Sequence, residues 1–172
     1  MKKVKIILIS LLSVFAVMQL FRVDKTNPET VIENQFHIIE GAPDNVLAIM
    51  KNACFDCHSN YTNYPWYSNV APISWIVKDH IDEGRAELNF SEWGTYSEGK
   101  RHHKLDECIE EVGEGEMPLR GYVVWHDEAL LTPADTAVLF SFFRKTMKHL
   151  YRGLIKDEHL KTPKYVQLLG RY

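Results

Sequence analysis

The chain has 172 residues, 45% of them hydrophobic and 25% charged, which predicts one globular domain with appendages and a real core. Its net charge of −3 hides a segregation, because residues 23–143 carry −13, whereas residues 1–22 carry +4 and residues 144–172 carry +6. An acidic body of this kind argues against nucleic-acid binding; it suits a protein partner with a basic docking face, or serves solubility alone.

The N-terminus predicts export and a membrane anchor. Three lysines among the first five residues precede an uninterrupted apolar run, Ile6–Phe21, and no A-x-A-like cleavage site follows it. The run is slightly short for a full membrane span, although flanking side chains can compensate. A buried core helix is the alternative, but the terminal position favours export. We expect residues 1–22 to be an uncleaved signal anchor in the inner membrane, with the rest of the chain in the periplasm.

The next two segments predict a linker and a helix. Residues 23–43 are polar, contain Pro28, Gly41 and Pro43, and predict a linker or extended arm. Asp44–Ala53 predicts a short helix with Asp44 as N-cap and one apolar face. This helix leads directly into the segment that carries the chemistry.

Cys54-Phe55-Asp56-Cys57-His58 has the C-x-x-C-H spacing of covalent haem attachment. Two thiols at this spacing can each add to one vinyl group of the same porphyrin, and the following imidazole can then bind iron. The alternatives are a disulfide, half a zinc site or a thioredoxin-like pair, but Cys108 is the only other cysteine and no βαβ pattern surrounds the motif. The sequence therefore predicts one covalent haem c on Cys54 and Cys57, with His58 as proximal ligand.

Aromatic residues and turn formers follow the motif, and a helix is predicted from Pro72 to about Leu88. Rings within residues 60–71 could wall the haem edge, and their Trp N–H or Tyr O–H groups could reach a propionate. Ordinary core packing is the alternative. The candidates for the haem pocket are Trp66, Tyr67, Trp75, His80 and Arg85.

A methionine loop follows the third predicted helix. That helix covers Ser97–Val112, and Gly113 and Gly115 are expected to end it. Met117 then precedes Pro118, an arrangement that can present a thioether sulfur to the sixth position of a haem iron. Filling a gap in a core is the alternative for a lone methionine.

The C-terminal third predicts the longest helix. Thr132, Pro133 and Asp135 form a capping-box-like start, and the apolar face continues to about Leu150. Residues 151–172 form a basic extension. No segment alternates convincingly as a strand, so the chain is predicted to be mostly α.

The order of these elements resembles the class I cytochrome c fold. More closely, several segments are similar to the haem-binding domain family of exported monohaem c-type proteins: Cys54–Asn60, Tyr64–Tyr67, Ala71–Trp75, Asp79–Arg85, Leu88–Trp93 and Glu114–Pro118. The resemblance implies a cytochrome c-like helical fold around one covalent haem c, with His58 proximal and Met117 as the matching distal candidate. We assign residues 44–150 to this haem c-binding domain.

These features predict a membrane-tethered periplasmic cytochrome that passes single electrons to a redox protein partner. With six ligands the iron has no open position for a substrate, so an electron carrier is favoured over an enzyme. The enzyme alternative is a haem peroxidase, or else a gas or redox sensor, with a labile sixth position beside His80, His102 or His103. A haem-stabilised interaction module is the third interpretation.

Overall fold

The computed structural model describes residues 2–156, with side chains up to residue 153. This part of the chain contains eight α-helices and no strand, which confirms the prediction of a mostly α protein. The predicted basic extension lies outside the described residues from residue 157 onward. The helices are α1 (Lys2–Met18), α2 (Phe36–Ile39), α3 (Asp44–Ala53), α4 (Phe55–His58), α5 (Ile73–Glu87), α6 (Glu98–Glu114), α7 (Arg120–Val123) and α8 (Pro133–Lys156).

The chain forms two compact units, each assembled from two separate stretches. The first unit combines the chain up to Glu29 with Phe55–Asn89. The second combines Thr30–Cys54 with the described chain from Phe90 to Lys156. The boundary between the stretches therefore falls within the C-x-x-C-H segment, directly after Cys54.

The first unit is built on α5. This helix packs against α4 and against the 3₁₀ turn Trp66–Asn69, and it buries Ser74 and Ile81. In contrast, α1 has no buried residue along its whole length. None of the helices in residues 2–156 has both the length and the hydrophobicity needed to cross a membrane.

The second unit has an aromatic core. Phe36 is fully buried, and its ring meets Phe90 and Trp93 edge-on at centroid distances of 5.1 Å and 5.0 Å. Phe142 and Phe143 of α8 complete the cluster. Edge-to-face contacts of this kind add to the stabilisation from burial. The predicted linker thus contributes the centre of a core, because Phe36 and the short helix α2 lie within residues 23–43.

The predicted helix boundaries agree with the structure except at Asp44, at Gly113 and at the end of α8, which continues to Lys156 although the sequence predicted an end near Leu150. Asp44–Ala53 is helical, but Pro43 is the N-cap and Asp44 is the first helical residue, where its carboxylate still faces the positive end of the helix dipole. Gly113 lies inside α6 and does not end it. Gly115 is the C-cap, with a φ of +77° that a glycine adopts without strain.

The predicted capping box of α8 is confirmed. The backbone N–H of Thr132 donates to Asp135 Oδ2 at 3.0 Å, and the backbone N–H of Asp135 donates to Thr132 Oγ1 at 3.2 Å. The two bonds satisfy N–H groups that have no partner within the helix. The helix then packs along α6 and α3 in the second unit.

Candidate haem site

The C-x-x-C-H segment follows the end of a helix. Cys54 is the C-cap of α3, where its N–H donates to Met50 O at 2.9 Å. The following four residues form the single-turn helix α4, in which Phe55 is buried and Cys57 and His58 are half-buried. The reactive side chains of the motif are therefore not sealed inside protein.

The imidazole of His58 is oriented by two backbone carbonyls of the first unit. Its Nδ1 lies 2.9 Å from Gly84 O and 3.1 Å from Leu88 O. Carbonyl oxygens only accept hydrogen bonds, so Nδ1 must carry the proton. A neutral ring then carries its lone pair on Nε2, and a metal-ligating histidine is normally held in this way through its other nitrogen.

Gly84 makes this approach of α5 to α4 possible. A Cβ at position 84 would lie 2.9 Å from Cys57 O and 3.2 Å from Cys57 Cβ. Any side chain at this position would push the two backbones apart. The glycine therefore serves close packing, and it brings its own carbonyl within reach of His58.

Arg85, a pocket candidate, holds the loop that follows the motif. Its Nε donates to Ser59 O at 2.8 Å, and its Nη2 lies 2.8 Å from both Thr62 Oγ1 and Asn27 Oδ1. A planar guanidinium can make such bonds in several directions at once. The structure thus gives Arg85 a clamping role within the first unit.

Buried polar side chains complete this clamp. Asn89 Nδ2 donates to Asn60 Oδ1 at 2.8 Å, and Asn60 Nδ2 donates to Glu29 O at 3.0 Å. Ser59 Oγ donates to Phe55 O at 2.7 Å, which closes the turn after α4. Sequence reasoning missed these residues, since serine and asparagine next to a motif are ordinary loop residues.

The remaining pocket candidates differ in their exposure and in the groups that they contact. Trp66 is 70% exposed, and its ring is perpendicular to that of Tyr67 with centroids 6.0 Å apart. Trp75 donates its indole N–H to Phe21 O at 2.9 Å. His80 is exposed on α5. Trp75 therefore uses its indole donor within the first unit.

Met117 lies in the second unit, in a loop tied to the end of α6. The backbone N–H groups of Glu116 and Met117 both donate to Glu111 O, at 3.0 Å and 3.1 Å. The Met117–Pro118 peptide bond is cis, and the methionine is half-buried. These hydrogen bonds fix the backbone of the residue, and its side chain, which carries the sulfur, is only partly buried.

None of the three cysteines forms a disulfide. Burial, and then the Asp56 carboxylate, raise the pKa of the Cys57 thiol to about 11. Burial and the nearby Cys54 raise the pKa of the Cys108 thiol on α6. Among the described residues, no three His, Cys, Asp or Glu side chains are grouped to share a metal ion. The donor set around α4 fits a haem held by thiols and one imidazole.

Comparison with known proteins places the chain in a family. The family model described as a haem-binding domain matches residues 13–145, well over half of the chain. No curated protein and no solved structure matches. The matched range includes His58, whose imidazole is oriented as a metal ligand requires. The chain therefore belongs to the haem-binding domain family.

Proposed function

We propose that this protein is a monohaem c-type cytochrome that carries single electrons. Cys54 and Cys57 would hold the haem through thioether bonds, and His58 Nε2 would be its proximal ligand. The observation that carries the proposal is the bonding of His58 Nδ1 to Gly84 O and Leu88 O. This bonding selects the tautomer that can ligate iron and fixes the plane of the ring before any ligand binds.

Met117 is the proposed distal ligand. Its loop is tied to Glu111 O, and the residue is half-buried. When bound, a haem iron with a histidine and a methionine ligand exchanges one electron between its ferrous and ferric states. The thioether favours the ferrous state, so this ligand pair gives a higher potential than two histidines. A sixth ligand from the protein also excludes substrates, which supports an electron carrier over a peroxidase.

The proposed location is the outer side of the inner membrane, with residues 1–22 as the anchor. Lys2, Lys3 and Lys5 precede the apolar run, as is typical of a segment that leaves its N-terminus in the cytoplasm. The apolar side chains of α1 are exposed, as at Leu12 (68%) and Ile9 (65%). The acidic central part of the chain, residues 23–143, favours a redox partner with a basic docking face.

A haem stain of a denaturing gel tests covalent attachment. The wild-type band should stain, because thioether bonds survive denaturation, and the double variant Cys54→Ala/Cys57→Ala should not stain. Cys108→Ala is the matched control and should stain like the wild type. A stained band from the double variant would overturn the proposal.

The absorption spectrum tests whether the protein supplies the sixth ligand of the iron and so leaves no open coordination position. The ferric protein should show the charge-transfer band of methionine bound to iron in the near infrared, and added cyanide or carbon monoxide should bind slowly or not at all. A high-spin spectrum with rapid ligand binding would instead indicate the peroxidase or sensor alternative.

A further inference from the structure

The exit of α1 is fixed to the start of α5, within the first unit. Gln19 Nε2 donates to Ala71 O at 3.0 Å, and the N–H of Ala71 donates back to Gln19 Oε1 at 3.0 Å. Trp75 Nε1 donates to Phe21 O at 2.9 Å. Three hydrogen bonds thus join the end of the apolar segment to residues 71–75, without a loose linker between them.

The attachment continues along the chain after α1. Lys25 Nζ lies 2.5 Å from Asn69 Oδ1, and Asn27 Nδ2 donates to Thr62 O at 3.0 Å. Residues 19–29 are therefore bonded to residues 60–85 at successive points, and they form part of the first unit.

Large apolar side chains are exposed on the two chain segments that these bonds join, residues 19–21 and 71–76. The four that form this junction face, with their exposed fractions, are Leu20 (77%), Phe21 (65%), Ile73 (43%) and Ile76 (54%). Ile73 and Ile76 are three residues apart and share one side of α5. The half-buried Trp75 stands between them in sequence, and Arg22 follows Phe21 at the surface. In sequence, Leu20 and Phe21 continue the exposed apolar residues of α1 beyond its last residue, Met18.

We propose that the junction face rests in the surface of the lipid bilayer and seats the first unit directly on the membrane. This inference rests on the proposed membrane anchor. A bilayer is the occupant that fits because α1 carries no charged residue from Ile6 to Met18 and buries none of its side chains, whereas a helix that packs on a protein partner usually buries one apolar side. Trp75 and Arg22 are residue types that favour the level of the lipid headgroups.

One consequence concerns the approach of redox partners. His58 belongs to the same unit as the junction face, and its ring is bonded to α5, whose first turn carries Ile73 and Ile76. A unit seated through that turn cannot swing freely on its anchor. A redox partner must then reach this unit while it is held at the lipid surface.

Environment-sensitive fluorescence of the full-length haem protein tests the seating. Single cysteines at positions 12, 76 and 86, in a Cys108→Ala background, are labelled with nitrobenzoxadiazole. The protein is reconstituted in vesicles of phosphatidylcholine and phosphatidylglycerol. Leu12 reports on α1, Ile76 on the junction face, and the exposed Ala86 on the other end of α5, about 15 Å along the helix from Ile76. The emission wavelength is used because haem quenching changes intensity and not the maximum.

The labels at positions 12 and 76 should both emit at shorter wavelength on vesicles, and the label at position 86 should keep its aqueous maximum. If position 12 shifts and position 76 does not, the anchor stands and the seating is wrong. If neither label shifts, α1 does not enter the bilayer, and both the proposed anchor and the proposed seating are wrong. A shift at all three positions would also overturn the junction face as the specific contact.

Discussion

His58 shows how single residues prepare the site. Its Nδ1 proton is directed to Gly84 O and Leu88 O, so the ring orientation is set by the backbone at the C-terminal end of α5 and by its C-cap residue. Gly84 packs against Cys57 so closely that there is no space for a side chain at position 84. The proposed ligand His58, the proposed attachment residue Cys57 and the helix α5 are therefore coupled through close contacts.

Gly84→Ala should disturb the proximal side of the haem. The added Cβ would lie 2.9 Å from Cys57 O, so α5 must move away and the bonds to His58 must lengthen. Overpacking of this kind costs about 1–3 kcal/mol, measurable as a lower denaturation midpoint of the haem protein. The reduced spectrum should also change. Gly121→Ala is the control, because nothing lies within 4 Å of its Cβ. Equal effects of the two substitutions would contradict this account of Gly84.

Met117→His should keep a low-spin haem and lower its reduction potential, because imidazole favours the ferric state more than a thioether does. Potentiometric titration of the purified protein measures the change. Met18→Leu, which alters a methionine in α1, should leave the potential unchanged. If Met117→Ala retains the wild-type potential and near-infrared band, another residue is the distal ligand.

At the scale of the helices, the N-terminus of α8 is defined by reciprocal side-chain capping. Thr132 and Asp135 exchange two backbone-to-side-chain bonds, and the Thr132 hydroxyl also donates to Asp135 Oδ2 at 2.7 Å. The hydroxyl and backbone N–H of Thr132 lower the pKa of Asp135 below its ordinary 3.8. The capping box should therefore stabilise α8 fully when this carboxylate is ionised.

Thr132→Ala should destabilise the fold by about 1 kcal/mol, the usual cost of a lost N-cap side chain. Chemical denaturation at neutral pH measures this loss of unfolding free energy, and Thr132→Ser should recover most of it. Because the folded-state pKa of Asp135 is depressed, its contribution is present above pH 3.8 and is lost as the pH falls through the folded-state value. The difference between wild type and Thr132→Ala should therefore shrink in acid. A difference that grows in acid would contradict the capping box.

At the scale of the whole molecule, each unit combines stretches that are distant in sequence. The first unit joins the N-terminal segment to Phe55–Asn89 through Arg85, Gln19 and Trp75. The second joins Phe36 to the aromatic residues of α8. The N-terminal segment is therefore part of the first unit as well as the proposed anchor. A replacement of the anchor must keep the residues that are bonded to the rest of this unit.

Covalent haem should depend on export of the chain. A chain in which residues 1–18 are replaced by Met alone should accumulate without stained haem, because the proposed attachment takes place outside the cytoplasm. Gln19 and Phe21 are kept so that their bonds to Ala71 and Trp75 can form. The same chain behind a foreign cleavable export signal is the control and should recover the haem, measured by staining fractionated cells. Stained haem in the cytoplasmic chain would contradict the proposed location.

Local patterns in the sequence were enough to predict most of the helices. The apolar spacing and the turn residues predicted α3 and α5, and the capping residues Thr132 and Asp135 marked the start of α8. The C-x-x-C-H motif was equally accessible, because its five residues are consecutive and their chemistry depends on spacing alone. The errors at Asp44 and Gly113 were of one or two residues, where several residue types can begin or end a helix, and α8 continues about six residues beyond its predicted end near Leu150.

The tertiary structure decided what surrounds the motif. His58 is bonded to carbonyls 26 and 30 residues away in sequence, and every residue has a carbonyl, so no side-chain identity marks these partners. Arg85 was named from sequence as a haem-pocket candidate, but its bonds to Ser59 and Asn27 were not predicted, because they depend on how the N-terminal segment folds back onto the loop. Phe36 gave no periodic signal in a polar stretch, and only packing made it the centre of a core. The sequence alone determined which reactive side chains the motif supplies, two thiols and one imidazole. Tertiary contacts decided how the imidazole ring is oriented, because its bonding partners come close to it only after folding.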